Sequence, residues 1–420
     1  MKLDKKAIIC WMILYIIAPV FKAIGYGNRR RKSVIYVGQA YYNNWYLSRA
    51  LRKLGWRADV LNWDLNIKSK IFYHGEDFKI DYEHPEDIKN YWRFYLWSLR
   101  EYDLFHFANK GGMQFGEPFR HEIAKLTGTE GFEIKFLKAL GKKIVYSNNG
   151  CLDGVSQTAF SKWGPTSVCD ICQWKNVPSV CSDEGNLRWG KFRNEMADYQ
   201  CLLGGNRADY NIDSTVHEVP EYYCLDQDFW FPDLDIPSKF RYPADHGTVR
   251  LYHAVGNYSE RTSKNSVNVK STHIYVPLIQ KIKDMGYKVE MVFCTDVPNK
   301  DVRFYQAQAD IFLEMLTYGW FGANAREAMM LGKPVICFLR QEWLDSAREE
   351  IPEYIDELPI INATPETVEG ILLDLIQDRE KRERIGRASR EFAVKWHSSN
   401  AAAKKFNKIY SQLLGIADER

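Results

Sequence analysis

Residues 319–336 read GWFGANAREAMMLGKPVI, and this stretch decides the architecture that the surrounding sequence is expected to adopt. A loop with two glycines enters a short helix, Gly332 ends that helix, and a strand led by Pro334 follows. This order of loop, helix and strand is typical of a doubly wound parallel sheet, in which the loop lies at the edge where ligands bind. The stretch therefore predicts both a sheet and a binding edge.

The alternation of strand and helix continues on both sides of this stretch. Apolar runs predict buried strands, and a period of about 3.6 residues predicts helices. The predicted strands are residues 249–255, 289–293, 309–313, 334–338 and 358–361, and the predicted helices are residues 272–285, 324–331 and most of 365–414. Residues 247–420 are therefore expected to form one α/β lobe.

The first half of the chain shows the same pattern. Residues 33–37 (SVIYV) predict a buried strand, and a helical pattern follows Gly38. Further strands are predicted at residues 58–61, 104–107 and 143–146. Residues 33–225 are therefore expected to form another Rossmann-like lobe, with the proline-containing residues 226–246 as the linker. A length of 420 residues also favours two α/β lobes with a cleft between them.

The composition excludes some classes of partner. The formal net charge is only +3, so the chain lacks the positive field that general nucleic-acid binding requires. It has no G-x-G-x-x-G motif, which leaves a dinucleotide cofactor little support. The 13 Trp, 25 Tyr and 22 Phe suit sugar stacking as well as core packing. Nine cysteines without the density of a disulfide scaffold favour a reducing, cytoplasmic compartment.

The loop before the helix of residues 324–331 has the features of a diphosphate site. A helix N-terminus offers unpaired N–H groups and a partial positive charge, and these come here from the residues around Gly322, Ala323 and Asn324. Glu327 lies one turn into the helix, where its carboxylate can accept hydrogen bonds from ribose hydroxyls. A solvated helix residue is the alternative interpretation of Glu327 taken alone.

The same residues resemble the signature of retaining GT-B glycosyltransferases of the group 1 type, in which E-G-F-G precedes a helix carrying E-A-M-x-x-G-x-P-V. The matching residues are Phe321, Gly322, Glu327, Ala328, Met329, Gly332, Pro334 and Val335. The resemblance implies that Glu327 contacts the ribose of the donor. It implies a donor-binding set of Gly256, Gly319, Phe321, Gly322, Ala323, Asn324 and Glu327. The first glutamate of the family's pair falls at Gly319, and Glu314 is a candidate replacement.

The resemblance also implies which residues act on the donor. Lys270 matches the family lysine that neutralises charge on the departing diphosphate, and Arg261 is the nearest replacement for the arginine, whose position holds Asn257. His106, in a segment similar to the family's D-x-x-H, is expected to face the donor sugar, with a structural histidine as the alternative. Gly38 and Gln39 are candidates for the acceptor side.

These residues imply a glycosyltransferase that moves a sugar from a nucleoside-diphosphate sugar to a glycan or lipid-linked acceptor, in polysaccharide or glycoconjugate synthesis. The resemblance implies retention of the anomeric configuration and no catalytic metal. Two other functions remain open: a nucleotide-sugar epimerase of the same fold, and a catalytically silent nucleotide-sugar-binding module, which the departure at Gly319 favours.

A cluster of four cysteines suggests a separate metal site in the first lobe. Cys151, Cys169, Cys172 and Cys181 lie within 31 residues (151–181), and one C-x-x-C supplies the spacing that lets two thiolates reach one ion. Four thiolates suit a structural zinc, so we predict one in this insertion. Reduced buried thiols and an iron–sulfur cluster are the alternatives.

The N-terminal residues 1–32 combine an apolar segment with a basic linker. Residues 7–21 (AIICWMILYIIAPVF) are fewer than the roughly 20 residues that span a bilayer as a helix. The flanking cations are Lys2, Lys5, Lys6, Arg29, Arg30, Arg31 and Lys32. This arrangement predicts attachment to the inner face of an anionic membrane, and a buried first helix is the alternative.

Overall fold

A computed structural model describes residues 5–38, 41–63, 73–80, 87–108, 117–148, 151, 154–162, 168–175, 177–202, 207–243, 245, 247–262 and 266–417. Within these ranges the chain forms two parallel β-sheets, one of seven strands and one of five. Helices connect most successive strands, and one core cluster of buried apolar residues includes members from both halves of the chain. The predicted α/β class with two doubly wound lobes is confirmed.

The first sheet has the strand order β3-β2-β1-β4-β5-β6-β7. Its strands are β1 (Ser33–Gly38), β2 (Arg57–Asn62), β3 (Phe78–Lys79), β4 (Leu104–Ala108), β5 (Lys143–Ser147), β6 (Tyr199–Leu202) and β7 (Val216–Glu218). The strand order reverses between β1 and β4, and ligands bind at such switch points in open α/β sheets. The helices of this half are α1 (Lys5–Phe21), α2 (Tyr42–Arg52), α3 (Asp87–Glu101), α4 (Glu117–Thr127), α5 (Phe132–Ala139), α6 (Gln157–Phe160) and α7 (Asp183–Met196).

The second sheet has the strand order β12-β11-β10-β8-β9. Its strands are β8 (Val249–Val255), β9 (Val289–Thr295), β10 (Ile311–Leu313), β11 (Val335–Cys337) and β12 (Ile361–Asn362). The helices are α8 (Tyr258–Arg261), α9 (Thr272–Asp284), α10 (Asn299–Ala307), α11 (Ala323–Met330), α12 (Gln341–Glu350), α13 (Pro352–Asp356), α14 (Val368–Gln377), α15 (Arg379–His397) and α16 (Ser399–Leu414). The order switches between β10 and β8, which places the second binding edge at the ends of these strands.

The last helix does not stay with the second lobe. α16 packs on α2, and the indole Nε1 of Trp56 donates a hydrogen bond of 2.7 Å to Oδ1 of Asn407. The hydroxyls of Tyr36 and Tyr410 lie 3.1 Å apart. The division predicted at residue 247 therefore describes the two sheets, whereas α16 covers the first one.

Glu350 on α12 joins the second lobe to the edge of the first sheet. It pairs with the guanidinium of Arg207 and lies 3.4 Å from Nδ1 of His217. Its Oε1 also accepts the backbone N–H of Glu218 at 3.0 Å. The side chain of Glu218 is itself buried, and burial raises its pKa to about 8 while Arg207 opposes the shift.

We predict that Glu218→Gln stabilises the protein increasingly as pH rises. A carboxyl whose folded-state pKa is raised contributes stability below its unfolded-state pKa and loses it as pH rises towards about 8. The variant lacks this titration, so its free energy of unfolding should gain on the wild type between pH 5 and 8, by at most about 1.4 kcal/mol per pH unit. Denaturant unfolding at several pH values measures this, with the exposed Glu349→Gln as control. A difference that does not change with pH would contradict the assignment.

Candidate active site at the edge of the second sheet

A cavity of about 340 Å³ opens where β8, β9 and α11 meet the first lobe. Its wall contains seven residues that the sequence predicts for donor binding or catalysis: Gly256, Arg261, Lys270, Gly322, Ala323, Asn324 and Glu327. They come from three separate loop–helix junctions of the second lobe. The carboxyl ends of parallel strands share one edge of a sheet, and this is why residues up to 71 positions apart (256–327) converge.

Lys270 enters the cavity already paired with a carboxylate. Its ammonium nitrogen lies 2.9 and 3.1 Å from the two carboxylate oxygens of Glu314, which follows β10. The side chains of Lys270 and Glu314 are 15% and 2% exposed. Glu314 therefore places a carboxylate beside Lys270 at the cavity. It does so from a position five residues before Gly319, where the family signature has its glutamate.

Glu327 is held by amides of α10. Its Oε1 accepts from Nδ2 of Asn299 at 2.7 Å, and its Oε2 accepts from Nε2 of Gln306 at 2.7 Å. Burial raises the pKa of Glu327, and these two donors oppose the shift. A carboxylate oxygen can accept more than one hydrogen bond. Each oxygen of Glu327 can therefore accept another donor from a ligand in the cavity.

Gly322 leaves room for the lysine. A Cβ at this position would lie 2.9 Å from Nζ of Lys270 and 3.6 Å from the nearest Glu314 oxygen. Real Cβ atoms rarely approach other atoms this closely, so any larger residue would displace the ammonium. The glycine, the lysine and the carboxylate thus form one packed unit at the N-terminus of α11.

The loop after β8 is fixed by Asp296. Its Oδ1 accepts the backbone N–H of Asn257 at 2.5 Å, and Asn257 adopts a left-handed conformation with φ +53°. This contact sets the path of the chain from Gly256 to α8, whose last residue is the exposed Arg261. Asp296 and Arg261 are both exposed and both line the cavity, so its wall includes exposed side chains of opposite charge.

The first lobe contributes two tyrosines that the sequence analysis missed. Tyr41 and Tyr223 line the cavity, and their rings meet edge to face with centroids 6.4 Å apart. Burial raises the pKa of Tyr41, so its hydroxyl stays protonated at neutral pH. Tyr41 lies three residues after Gly38, the last residue of β1. Because ligands bind at the carboxyl ends of parallel strands, this position in the sequence could have identified Tyr41 as a candidate. Gln39, the other acceptor-side candidate, lies outside the described residues.

The structure places His106 differently from the prediction. It is the third residue of β4, is 1% exposed and does not line the cavity. Its Nδ1 lies 2.6 Å from the hydroxyl of Tyr410 and its Nε2 lies 2.6 Å from Oγ of Ser147. Burial lowers its pKa to about 3. β4 continues past His106, and the side chain points towards α16 instead of the cleft. His106 is therefore not placed to contact a donor sugar in this cavity.

Gly319 and Phe321 also lie away from the cavity wall. Gly319 has φ +87°, and a Cβ there would lie 2.8 Å from Cβ of Arg340. This close approach explains why a glutamate does not fit at the position. Phe321 is fully buried and stacks on Trp320 with ring centroids 5.5 Å apart. These two residues support the loop from behind the cavity wall. Neither lines the cavity, so the direct donor contacts expected of them are not found.

The predicted zinc ligands are Cys151, Cys169, Cys172 and Cys181. Cys169 packs in a small apolar cluster with Phe160 and Val168. The thiol of Cys181 accepts a hydrogen bond of 3.5 Å from Nε2 of Gln157. Among the described residues, no group of three or more His, Cys, Asp or Glu side chains is arranged to hold a metal ion. Zinc binding by these thiols stays a prediction.

Sequence comparison identifies the second lobe. Residues 275–392, which include α11 and Glu327, match the sequence profile of the family Glycosyl transferases group 1. The chain is a glycosyltransferase. No curated protein shows significant sequence similarity to it. The family match covers the helix that carries Glu327 but begins after Lys270 and Arg261.

Solved structures show the fold of this glycosyltransferase. A glycosyltransferase from Rickettsia africae ESF-5 is 12% identical with a TM-score of 0.57, over 92% of this chain and 100% of that chain. Sucrose-phosphate synthase from Thermosynechococcus elongatus is 15% identical with a TM-score of 0.54, over 92% and 100%. Alr3699/HepE from Anabaena, in complex with UDP, is 13% identical with a TM-score of 0.53, over 90% and 100%. The glycosyltransferase has the GT-B fold.

We predict that Gly322→Ala lowers kcat/KM of sugar transfer by up to about 10²-fold, because the new methyl group displaces the ammonium of Lys270. The thermal midpoint should change little, since the displaced group is the flexible end of a side chain. Gly370→Ala is the matched control, because nothing lies within 4 Å of its Cβ position. Equal activities for the two variants would show that the position of the ammonium does not matter.

Proposed function

We propose that the glycosyltransferase moves a sugar from a nucleoside-diphosphate sugar to an acceptor with retention of configuration. The observation that carries the proposal is that an ammonium (Lys270) and a carboxylate (Glu327) line one cavity at the N-terminus of α11. A diphosphate needs cations and N–H donors, and a ribose needs an acceptor for its hydroxyls. The cavity offers both in one wall.

The donor is oriented by Glu327 in this proposal. Its carboxylate accepts hydrogen bonds from the ribose hydroxyls while Asn299 and Gln306 hold its other lone pairs. The Anabaena protein of the same fold has been solved in complex with UDP and with UDP-glucose. These complexes support a nucleotide-sugar donor and leave the base and sugar of this chain to experiment.

The leaving group is stabilised by protein charge. The ammonium of Lys270 and the guanidinium of Arg261 line the same cavity as the first residues of α11, Ala323 and Asn324. Preorganised donors aimed at developing charge lower the barrier to bond cleavage, here of the bond between sugar and diphosphate. We propose that these groups perform the electrostatic task and that no divalent cation is required for it. Retention follows from the resemblance of the α11 signature to retaining enzymes.

The acceptor approaches from the first lobe. Tyr41 and Tyr223 reach the cavity from that side, and aromatic rings bind the apolar faces of sugars. A glycan or lipid-linked sugar is the proposed acceptor class, consistent with a role in polysaccharide or glycoconjugate synthesis.

Lys270→Ala should lower kcat by about 10²-fold and weaken nucleotide binding less, as expected for loss of one preorganised electrostatic partner. Glu327→Ala should mainly weaken nucleotide binding. Turnover is measured with a panel of nucleotide sugars and acceptors, and nucleoside-diphosphate affinity by calorimetry. Lys283→Ala, an exposed lysine on α9, is the matched control and should behave as the wild type.

Other outcomes of this assay discriminate the alternatives. A wild-type rate in Lys270→Ala would remove the main support for the diphosphate site. Isomerisation of the nucleotide sugar without an acceptor would identify an epimerase, and binding without turnover would identify a silent binding module. Inversion at the anomeric carbon, read by NMR of the product, would contradict retention.

We also propose that the enzyme is cytoplasmic and attached to the inner membrane face through its first helix. Among the described residues, one helical segment, Ile8–Tyr26, is long and apolar enough to cross a membrane, and 17% of it is buried. It extends five residues beyond the run that the sequence predicts. Trp11, Tyr15 and Ile16 are 46%, 78% and 62% exposed, although α1 also contacts α4 and α5. A helix so exposed does not match the buried-helix alternative.

The substitutions Trp11→Ser, Tyr15→Ser and Ile16→Ser in one full-length chain should abolish sedimentation with vesicles of anionic phospholipid. The apolar face supplies the buried area, and nearby cations such as Lys5 and Arg29 supply the attraction, so binding by the wild type should also fall with salt. Val276→Ser, Met285→Ser and Val394→Ser, which remove exposed apolar residues of the second lobe, are the control. Equal sedimentation of both variants would rule out α1 as the anchor.

A further inference from the structure

A continuous chain of hydrogen bonds runs from the linker through the first lobe to Glu327. Nε1 of Trp230 lies 3.2 Å from the hydroxyl of Tyr46, which lies 2.8 Å from Nδ1 of His74. Nε2 of His74 lies 2.6 Å from Oδ1 of Asn299, whose Nδ2 lies 2.7 Å from Oε1 of Glu327. Each of the five side chains is less than a tenth exposed.

The chemistry of the groups fixes the direction of every bond. An ionised carboxylate only accepts, so the amide nitrogen of Asn299 faces Glu327 and its oxygen faces His74. His74 therefore donates from Nε2, and its Nδ1 accepts from the hydroxyl of Tyr46. The oxygen of that hydroxyl in turn accepts from the indole N–H of Trp230. Burial lowers the pKa of His74 to about 4, which keeps the ring in the neutral form that this sequence of donors needs.

The contact between His74 and Asn299 crosses from one lobe to the other. Tyr46 lies on α2 and His74 precedes β3, whereas Asn299 is the first residue of α10 in the second lobe. Gln306, two turns further along α10, holds the other oxygen of Glu327. Both oxygens of the carboxylate thus depend on the placement of α10, and His74 holds the end of that helix from the opposite lobe.

We propose that His74 and Asn299 are positioning residues that couple contact between the lobes to the orientation of the Glu327 carboxylate, and through it to the affinity for the ribose. This inference rests on the proposed function, in which Glu327 binds ribose. Without a donor from the first lobe, Oδ1 of Asn299 is buried and unpaired, and its amide is no longer held in the orientation that serves Glu327. Neither His74 nor Asn299 needs to touch the reacting sugar.

The test measures nucleotide affinity with and without the ribose hydroxyls. UDP, ADP and GDP are titrated into the full-length protein, and the tightest of them is compared with its 2′,3′-dideoxy counterpart. His74→Phe should weaken the ribonucleotide about tenfold, as for loss of one buried donor, and should change the affinity for the dideoxy nucleotide less than about twofold. In steady-state assays KM for the donor should rise while kcat stays within about threefold.

Conservative and matched variants separate positioning from general destabilisation. His74→Gln retains a side-chain N–H for Asn299 and should restore ribonucleotide affinity to within about threefold of the wild type. His397 is also buried and bonded to a tyrosine, with its Nε2 at 3.0 Å from the Tyr354 hydroxyl, and it does not line the cavity. His397→Phe should lower the thermal midpoint without changing the ratio of the two affinities.

The nucleotide selectivity of the loss decides the inference. Selective loss of ribonucleotide affinity in His74→Phe supports it, and an equal change for both nucleotides or no change overturns it. If His74→Phe does not fold, Tyr46→Phe removes only a hydroxyl, and absence of a selective loss in that variant also overturns the inference. A wild type that binds no nucleoside diphosphate would defeat the proposed function itself. If Glu327→Gln loses the preference for the ribonucleotide over its dideoxy counterpart but His74→Phe keeps it, the inference is wrong while the proposed function stands.

Discussion

The burial of the Glu327 carboxylate is the constraint around which the cleft is arranged. A carboxylate taken out of water needs donors for its oxygens, and the chain supplies them from two amides of α10. Those amides are placed by the packing of α10 beside α11 and by the contact with His74 across the cleft. The position of one charged group in the second lobe therefore depends on the first lobe being in place.

The Lys270 ammonium, on the other side of the cavity, is also held by a partner within the protein. Without Glu314, Lys270 would be a nearly buried cation with no counter-charge. Without Lys270, Glu314 would be a buried anion with no counter-charge. Gly322 permits the pair to sit against the first turn of α11. The result is an ammonium that Glu314 holds in place before a ligand arrives, so its charge is preorganised for a leaving group.

The sequence predicts the second lobe more closely than the first, for physical reasons. Strand β8 is found at the predicted residues because five of its seven residues are apolar or aromatic, which predicts a buried strand. β6 (YQCL) and β7 (VHE) were missed because polar residues interrupt these short strands, so neither forms the apolar run that predicted β10 and β11. His106 was expected in the cleft because its segment resembles the family's D-x-x-H, but a strand pattern does not show which face of the sheet a side chain takes. The face of His106 is decided by α16, which lies 304 residues later in sequence at Tyr410.

The residues of the donor cavity divide in the same way. Lys270, Gly322 and Glu327 follow strand ends of their own lobe and could be predicted from local sequence. Tyr223, His74 and Asn299 matter through contacts between lobes, and local sequence carries no signal for such contacts.

The most direct test of donor binding at Glu327 is a crystal structure of the protein with the nucleoside diphosphate that it binds most tightly. We expect the ribose hydroxyls to lie within hydrogen-bond distance of the Glu327 carboxylate and the diphosphate to lie between Lys270 and the N-terminus of α11. A nucleotide bound in any other part of the cleft, or with its ribose turned away from Glu327, would contradict this expectation.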